Sequence, residues 1–224
     1  MRFFYFIYEI NKKIMLNFKN IKDIAEVQKD IHQYQCYFID ANAWIGYLEK
    51  QHLGKSPKYE KYIAFIDEIV RLNQKQNPQK TPPKIAITSL LLSEIINRYM
   101  RDIAMKLFFG DNYKEKNFKK DYRNTTNYKQ KLADFIETIT GFESAYILLN
   151  DDFNNIDLLA KLEDLKQNGG DFNDFYFYEI IKKNNIPIVT NDADFKDYPD
   201  IDIITNNATL LENKARFSPK SKTK

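Results

Sequence analysis

Acidic residues occupy four separate positions that sequence patterning places beside strand ends. Two fall at the ends of apolar runs typical of strands, and two lie within the first turns of helices beside those strand ends. The carboxyl ends of parallel strands meet at one edge of a sheet, which is where α/β proteins bind ligands. We therefore expect four carboxylates to converge at that edge: Asp40, Glu94, Asp174 and Asp192.

Four carboxylates in one cleft would repel each other strongly unless cations neutralised them. Hard divalent ions such as Mg²⁺ or Mn²⁺ prefer carboxylate oxygens, water and substrate phosphate oxygens as ligands. Two such ions about 4 Å apart can activate water and stabilise the leaving oxygen during attack at phosphorus. The acidic set therefore predicts hydrolysis of phosphodiester bonds.

Each acid also has an ordinary structural explanation. Asp40 could cap the helix that follows it, Asp171 could cap the helix containing Asp174, and Asp192 with Asp194 could shape a turn. Any one of these acids alone would be read as structural. Their joint placement at strand ends favours the catalytic interpretation.

The elements that would position these acids alternate between strand and helix. Strands are expected near residues 36–39, 84–88, 186–189 and 201–204. Helices are expected over residues 41–49, 59–74, 90–108, 131–140 and 155–166, with Ser89 as a candidate cap for the third, and a further helix follows Gly170. The alternation predicts a doubly wound α/β fold with three layers, α/β/α, around a central, mostly parallel sheet of four to five strands.

Composition and length indicate one domain with extensions. We expect an N-terminal helical extension over residues 1–35, a domain over 36–212 and a disordered basic tail over 213–224. The net charge is +3, yet the tail holds five cations and no acid, so the rest of the chain is slightly acidic. The single cysteine, Cys36, fits a reducing compartment, and the apolar start is too short to span a bilayer. A cytoplasmic protein without membrane contact is expected.

A basic and aromatic stretch interrupts the domain around residues 110–130. Its cations alternate with Tyr and Phe, a composition that could stack bases and follow a phosphate backbone. It could equally be a solvated helical arm with buried aromatic residues. The candidate nucleic-acid-binding residues are Lys116, Lys119, Lys120 and Arg123.

Over residues 36 to 205 the chain resembles the PIN-domain nucleases, which include VapC-like toxin ribonucleases. The resemblance is carried by Phe38-Ile-Asp-Ala-Asn-Ala-Trp44, Ile87-Thr-Ser-Leu-Leu-Leu-Ser-Glu94, Asp174 with its helix, and Ile188-Val-Thr-Asn-Asp-Ala-Asp-Phe195. The chain is longer than compact toxin members of the family, and the additional length lies at the N-terminus, around residues 110–130 and in the tail.

The resemblance implies roles for these residues. Asp40, Glu94, Asp174 and Asp192 would bind the metal and form the catalytic set. Asp171, Asp194, Asn42 and Thr190 would be accessory. It also implies Mg²⁺- or Mn²⁺-dependent cleavage of single-stranded or structured RNA, a toxin role with an antitoxin partner, and a homodimer, since homodimers are frequent in the family.

Other functions find less support in the sequence. An inactive PIN-like module that binds protein or RNA, or a 5′-nuclease acting on DNA, stays an alternative. Only two histidines and one cysteine are present, which argues against a zinc site or a Ser-His-Asp triad. A phosphatase of the haloacid dehalogenase type could use Asp40 as nucleophile, but its second Asp is replaced here by Asn42.

Overall fold

A computed structural model describes residues 20–75, 80–151, 153–198 and 200–217. The chain divides into two compact units. The first comprises Met1–Phe38 and Asp152–Lys224, and the second comprises Ile39–Asp151.

All strand pairings recorded in the first unit are parallel. Strand β1 (Asn20–Asp23) pairs with β6 (Asp202–Thr205), which also pairs with β5 (Ile188–Val189). Strand β2 (Cys36–Ile39) approaches the start of β5, where the Phe38 amide donates to the Pro187 carbonyl with an N···O distance of 3.0 Å. The β-branched residues of these strands are buried, so the sheet provides the core of this unit.

Three helices of the first unit begin at aspartate caps, and a fourth begins at Asn207. The Asp23 carboxylate accepts a hydrogen bond from the Ala25 amide and starts the first helix. The helix after Gly170 buries six residues between Phe175 and Ile181 and ends at Asn185, which has a positive φ of 51°. Among the residues that the structure describes in this unit, the helices are α1 (Ile24–Lys29), α7 (Leu158–Asn168), α8 (Phe172–Asn184) and α9 (Ala208–Phe217).

The second unit is mainly helical over its described residues 39–75 and 80–151, where β3 (Lys84–Ile87) pairs in parallel with β4 (Tyr146–Leu148). Its longest apolar stripe lies on the helix Glu60–Gln74, where every third or fourth residue is buried as expected for an amphipathic helix. Its helices are α2 (Ala41–Leu53), α3 (Glu60–Gln74), α4 (Ser89–Arg98), α5 (Met105–Phe109) and α6 (Thr126–Thr140).

Helices α4 and α5 are joined without a break by a π-helical segment, Tyr99–Ala104. Four of its six residues are buried. A π-helical turn holds one more residue than an α-helical turn, and such turns occur often at functional sites. The helical stretch therefore runs continuously over residues 89–109.

Several sequence-based expectations differ from this structure. Strands β1 and β4 were not expected, so six strands are described where four to five were predicted. The helical extension over 1–35 begins outside the described residues and then contains β1, because the short run around Ile21 pairs with β6. Thr88 caps α4 instead of Ser89. The tail expected over 213–224 is helical as far as Phe217, and the remainder lies outside the described residues.

Among the residues that the structure describes, no helix combines the length and apolar character needed to cross a membrane.

Gly46, inside α2, has no room for a side chain, because the Tyr59 side chain packs directly against its backbone. A Cβ atom at this position would lie 2.2 Å from Tyr59 Cγ and 2.5 Å from Tyr59 Cβ. We expect Gly46→Ala to lower the free energy of unfolding by about 1–3 kcal/mol, because overpacking outweighs the gain of roughly 1 kcal/mol in helix propensity.

Urea titration of the purified variant would measure this loss. In a Tyr59→Gly background, which removes both Cβ and Cγ of residue 59, Gly46→Ala should cost less than it does in the wild type. A stabilised single variant would contradict the packing argument.

Candidate active site

Asp40 is a buried carboxylate at the end of β2. Its residue is 5% exposed, and it stands at the first position before α2. At the start of α2, the amides of Ala43 and Trp44 donate hydrogen bonds to the Asp40 backbone carbonyl, with N···O distances of 3.0 and 3.2 Å. The side chain makes no capping hydrogen bond. The structural explanation of Asp40 as a side-chain cap is therefore wrong. Asn42, in the first turn of α2, is half-buried.

Glu94 lies in the second turn of α4, close after the end of β3. The Thr88 hydroxyl accepts a hydrogen bond from the Leu91 amide at 3.1 Å and so starts the helix directly at the strand end. Arg98, one turn further, places Nη1 3.6 Å from Glu94 Oε1 and Nε 3.9 Å from Asp102 Oδ2. Partly exposed pairs of this kind contribute at most about 1 kcal/mol each. Arg98 thus places a positive charge beside Glu94, and the ion pair adds little to stability.

Asp151 is a candidate site residue that sequence analysis missed. It follows β4, and its carboxylate accepts a hydrogen bond from the Ser89 hydroxyl at the start of α4. Leu149 continues the β3–β4 ladder by donating its amide to the Ile87 carbonyl at 2.9 Å. The only signal in the sequence is the apolar run 146–149, which ends two residues before Asp151, and so short a run does not distinguish a strand from a segment of buried helix.

Asp174 lies in the first turn of α8 in the first unit. The helix begins at Asp171, whose Oδ1 accepts from the Asn173 amide at 2.7 Å. Asp171 is exposed and Asp174 is half-buried. Asp171 therefore has the capping role that its sequence position suggested, and it fixes the helix start that presents Asp174.

Asp192 follows β5 and belongs to a tight turn that its neighbours hold in place. The Thr190 hydroxyl accepts from the Asp192 amide at 2.9 Å, and Asp192 Oδ1 accepts from the Asp194 amide at 2.9 Å. Thr190 is fully buried and donates its own amide to the Ile204 carbonyl at 3.0 Å. Asp192 is half-buried and Asp194 is exposed. Thr190 therefore positions Asp192 through the backbone.

The predicted acids offer only carboxylate oxygens, which suit a hard divalent ion and not zinc or copper. Within residues 20–75, 80–151, 153–198 and 200–217, no three His, Cys, Asp or Glu residues are grouped closely enough to hold a metal ion. The chemistry of these donors fits Mg²⁺ or Mn²⁺, and their joint use as ligands stays a prediction.

The basic and aromatic stretch consists of short 3₁₀- and π-helical turns that lead into α6. Its four candidate nucleic-acid-binding residues are all exposed: Lys116, Lys119, Lys120 and Arg123. Tyr122, in contrast, is completely buried.

The chain matches one family model over most of its length. The family model of the PIN domain matches residues 37–201. The chain belongs to the PIN-domain family. The fold expected from its sequence, a PIN-like α/β fold with parallel strands, is thereby confirmed.

PIN domains are generally metal-dependent nucleases. The matched region contains Asp40, Glu94, Asp174 and Asp192. Among solved structures, this PIN protein is similar to the crystal structure of VapBC2 from Rickettsia felis bound to a DNA fragment from their promoter. The sequence identity is 15% and the TM-score is 0.41, with 76% of this chain and 98% of that chain covered. No curated protein sequence matches the chain.

Proposed function

We propose that this PIN protein is a metal-dependent endoribonuclease that hydrolyses phosphodiester bonds in single-stranded or structured RNA. The observation that carries the proposal is the buried Asp40 carboxylate, which follows a strand, does not cap its helix and lies inside the matched family region. A carboxylate oxygen held at the end of a strand is the kind of ligand that a hard divalent cation prefers.

In this proposal four residues hold Mg²⁺ or Mn²⁺, namely Asp40, Glu94, Asp174 and Asp192. The chemistry that a divalent ion supplies at such a site is activation of water and stabilisation of the leaving oxygen. Asp192 uses Oδ1 to accept from the Asp194 amide, which leaves Oδ2 as its oxygen for a cation. Arg98 beside Glu94 is suited to attract a substrate phosphate.

The accessory residues orient this set through hydrogen bonds. Thr190 accepts from the Asp192 amide, and Asp171 caps the helix that carries Asp174. Asp194 closes the Asp192 turn through its amide, and Asn42 lies two residues after Asp40, in the first turn of α2. The proposal assigns these residues positioning roles and no direct part in the reaction.

Removal of divalent cations is the test of this function. Purified protein incubated with labelled single-stranded RNA and Mg²⁺ or Mn²⁺ is expected to cleave it internally. EDTA should abolish cleavage, and an excess of Mg²⁺ or Mn²⁺ should restore it. A stem–loop RNA and single-stranded DNA of the same sequence serve as alternative substrates.

Each outcome of this experiment discriminates between functions. Cleavage of DNA from its 5′ end in place of RNA would assign the protein to the 5′-nucleases. Tight RNA binding without any EDTA-sensitive cleavage would make it a binding module. Equal cleavage with and without EDTA would contradict a metal-dependent mechanism.

A further inference from the structure

The residues 110–123, here called the basic arm, are built on a cluster of aromatic rings that contact each other in tilted and T-shaped arrangements. Tyr122 is fully buried at the centre, and burial raises the pKa of its phenol to about 12. Its ring centroid lies 5.6 to 6.1 Å from those of its four neighbours, Phe108, Phe109, Phe118 and Tyr128. Its hydroxyl donates to Asn127 Oδ1 at 3.0 Å. These rings form a small core.

Cations from the same unit cover ring faces of this core. The Arg101 guanidinium lies 4.3 Å from the Phe118 ring centroid, and Lys116 Nζ lies 5.8 Å from that of Phe109. Lys106 Nζ lies 5.7 Å from the Tyr113 ring centroid. A ring that stacks a nucleobase needs a free face. The aromatic residues of the arm are therefore engaged in packing and in cation–π contacts.

The remaining cations of the arm point to solvent. Lys114, Lys119, Lys120 and Arg123 are exposed, and within the described part of the chain no carboxylate lies within 4.0 Å of their charged groups. The local backbone is held firmly, because Asn117 Oδ1 accepts from the amides of Lys119 and Lys120, both at 3.0 Å. The positive charges of Lys119 and Lys120 therefore lie on an ordered turn of the backbone.

We propose that the basic arm binds the phosphodiester backbone of the RNA substrate through charge alone, without stacking or reading bases. This inference rests on the proposed nuclease function. It follows from the separation of the two residue types in the arm. Tyr122 is buried, and Tyr113 and Phe118 are half-buried with a cation over one face, whereas the lysines are exposed. Cations that neutralise phosphates release counterions, which gives salt-dependent and sequence-independent affinity. The arm continues directly from the helical stretch that carries Glu94.

The test compares a variant of the arm with the wild-type protein in RNA binding. The variant carries Lys114→Ala, Lys119→Ala, Lys120→Ala and Arg123→Ala, and it keeps Lys116 because that side chain covers Phe109. Binding to labelled oligo(A) and oligo(U) of about 20 nucleotides is measured by fluorescence anisotropy in EDTA, from about 50 to 200 mM salt. EDTA prevents cleavage, so the result is independent of catalysis.

We expect the magnitude of the slope of log K against log salt to fall by up to about 3, since each phosphate contact on a single strand contributes about 0.7. Affinity should fall by roughly tenfold at about 100 mM salt. The loss should be the same for oligo(A), oligo(U) and single-stranded DNA, because charge does not distinguish bases or sugars.

The matched control removes the same charge from other exposed positions of the second unit, with Lys50→Ala, Lys55→Ala, Lys75→Ala and Lys80→Ala. Its slope should stay close to that of the wild type. Equal losses in the control and the arm variant, or no loss in the arm variant, would overturn the proposal. A loss confined to oligo(A) or to oligo(U) would show that the arm reads bases and would also overturn it. A wild-type protein that binds RNA in this assay but shows no EDTA-sensitive cleavage would overturn only the nuclease function.

Discussion

Asp40→Asn is expected to reduce EDTA-sensitive RNA cleavage by at least about a hundredfold while leaving the fold intact. The amide keeps the shape of the side chain and removes the negative charge that a hard cation requires. Metal ions supply several kcal/mol of transition-state stabilisation. Since each loss of about 1.36 kcal/mol slows the reaction about tenfold, losing about 3 kcal/mol accounts for the hundredfold decrease. Initial cleavage rates at saturating Mg²⁺ or Mn²⁺ measure the effect, with thermal unfolding as the check on folding.

Asp157→Asn provides the matched control for this substitution. Asp157 Oδ1 accepts from the Ala160 amide at 3.1 Å and caps α7, a role that Asn fills about equally well. Its cleavage rate should remain within about twofold of wild type, as is typical for a substitution with little effect on stability. Full activity of Asp40→Asn would remove Asp40 from the catalytic set.

If the protein is the toxin of a toxin–antitoxin pair, expression of the wild type alone in a bacterium should arrest growth, and expression of Asp40→Asn should not.

Tyr122→Ala is expected to have the largest effect on stability, with a loss of about 3–5 kcal/mol. The substitution removes the ring on which four other aromatic side chains of the second unit pack. The basic arm would lose its core and become accessible to proteases. Urea unfolding measures the free energy, and limited trypsin digestion should show new cleavage after Lys119 and Lys120.

Tyr122→Phe is the control that separates the ring from its hydroxyl. It removes only the hydrogen bond to Asn127, at a cost of about 1 kcal/mol. Trypsin should then cut the arm no faster than in wild type. If Tyr122→Ala costs no more than Tyr122→Phe, the aromatic cluster does not hold the arm together.

The sequence was most informative where burial follows a regular period. All six apolar residues predicted for the face of α3, such as Phe65 and Ile69, are buried, because a period of 3.6 on a long helix allows one orientation only. Strand β2 and the acid that follows it were equally clear, since an apolar run that ends abruptly in Asp40 is typical of a buried parallel strand.

Other features were beyond sequence analysis because alternative structures share the same pattern. Strand β4 is short and partly exposed, with Ile147 at 43% and Leu148 at 79%, so it lacks the continuous burial that marks a strand. Thr88 and Ser89 are both good caps, and only the hydrogen bond to the Leu91 amide distinguishes them. In the arm, the same Tyr and Phe composition serves base stacking or internal packing, and the choice depends on tertiary contacts.

The π-helical turn at Tyr99–Ala104 sets the rotation, about the helix axis, of α5 and the basic arm relative to α4. Each residue advances an α-helix by roughly 100°, so one residue more or fewer in this turn rotates everything after it by that angle. The direction in which the lysines emerge, relative to Glu94, is therefore fixed by a count of residues in a buried turn. Insertions and deletions there would reorient the cationic surface without altering a single side chain on it.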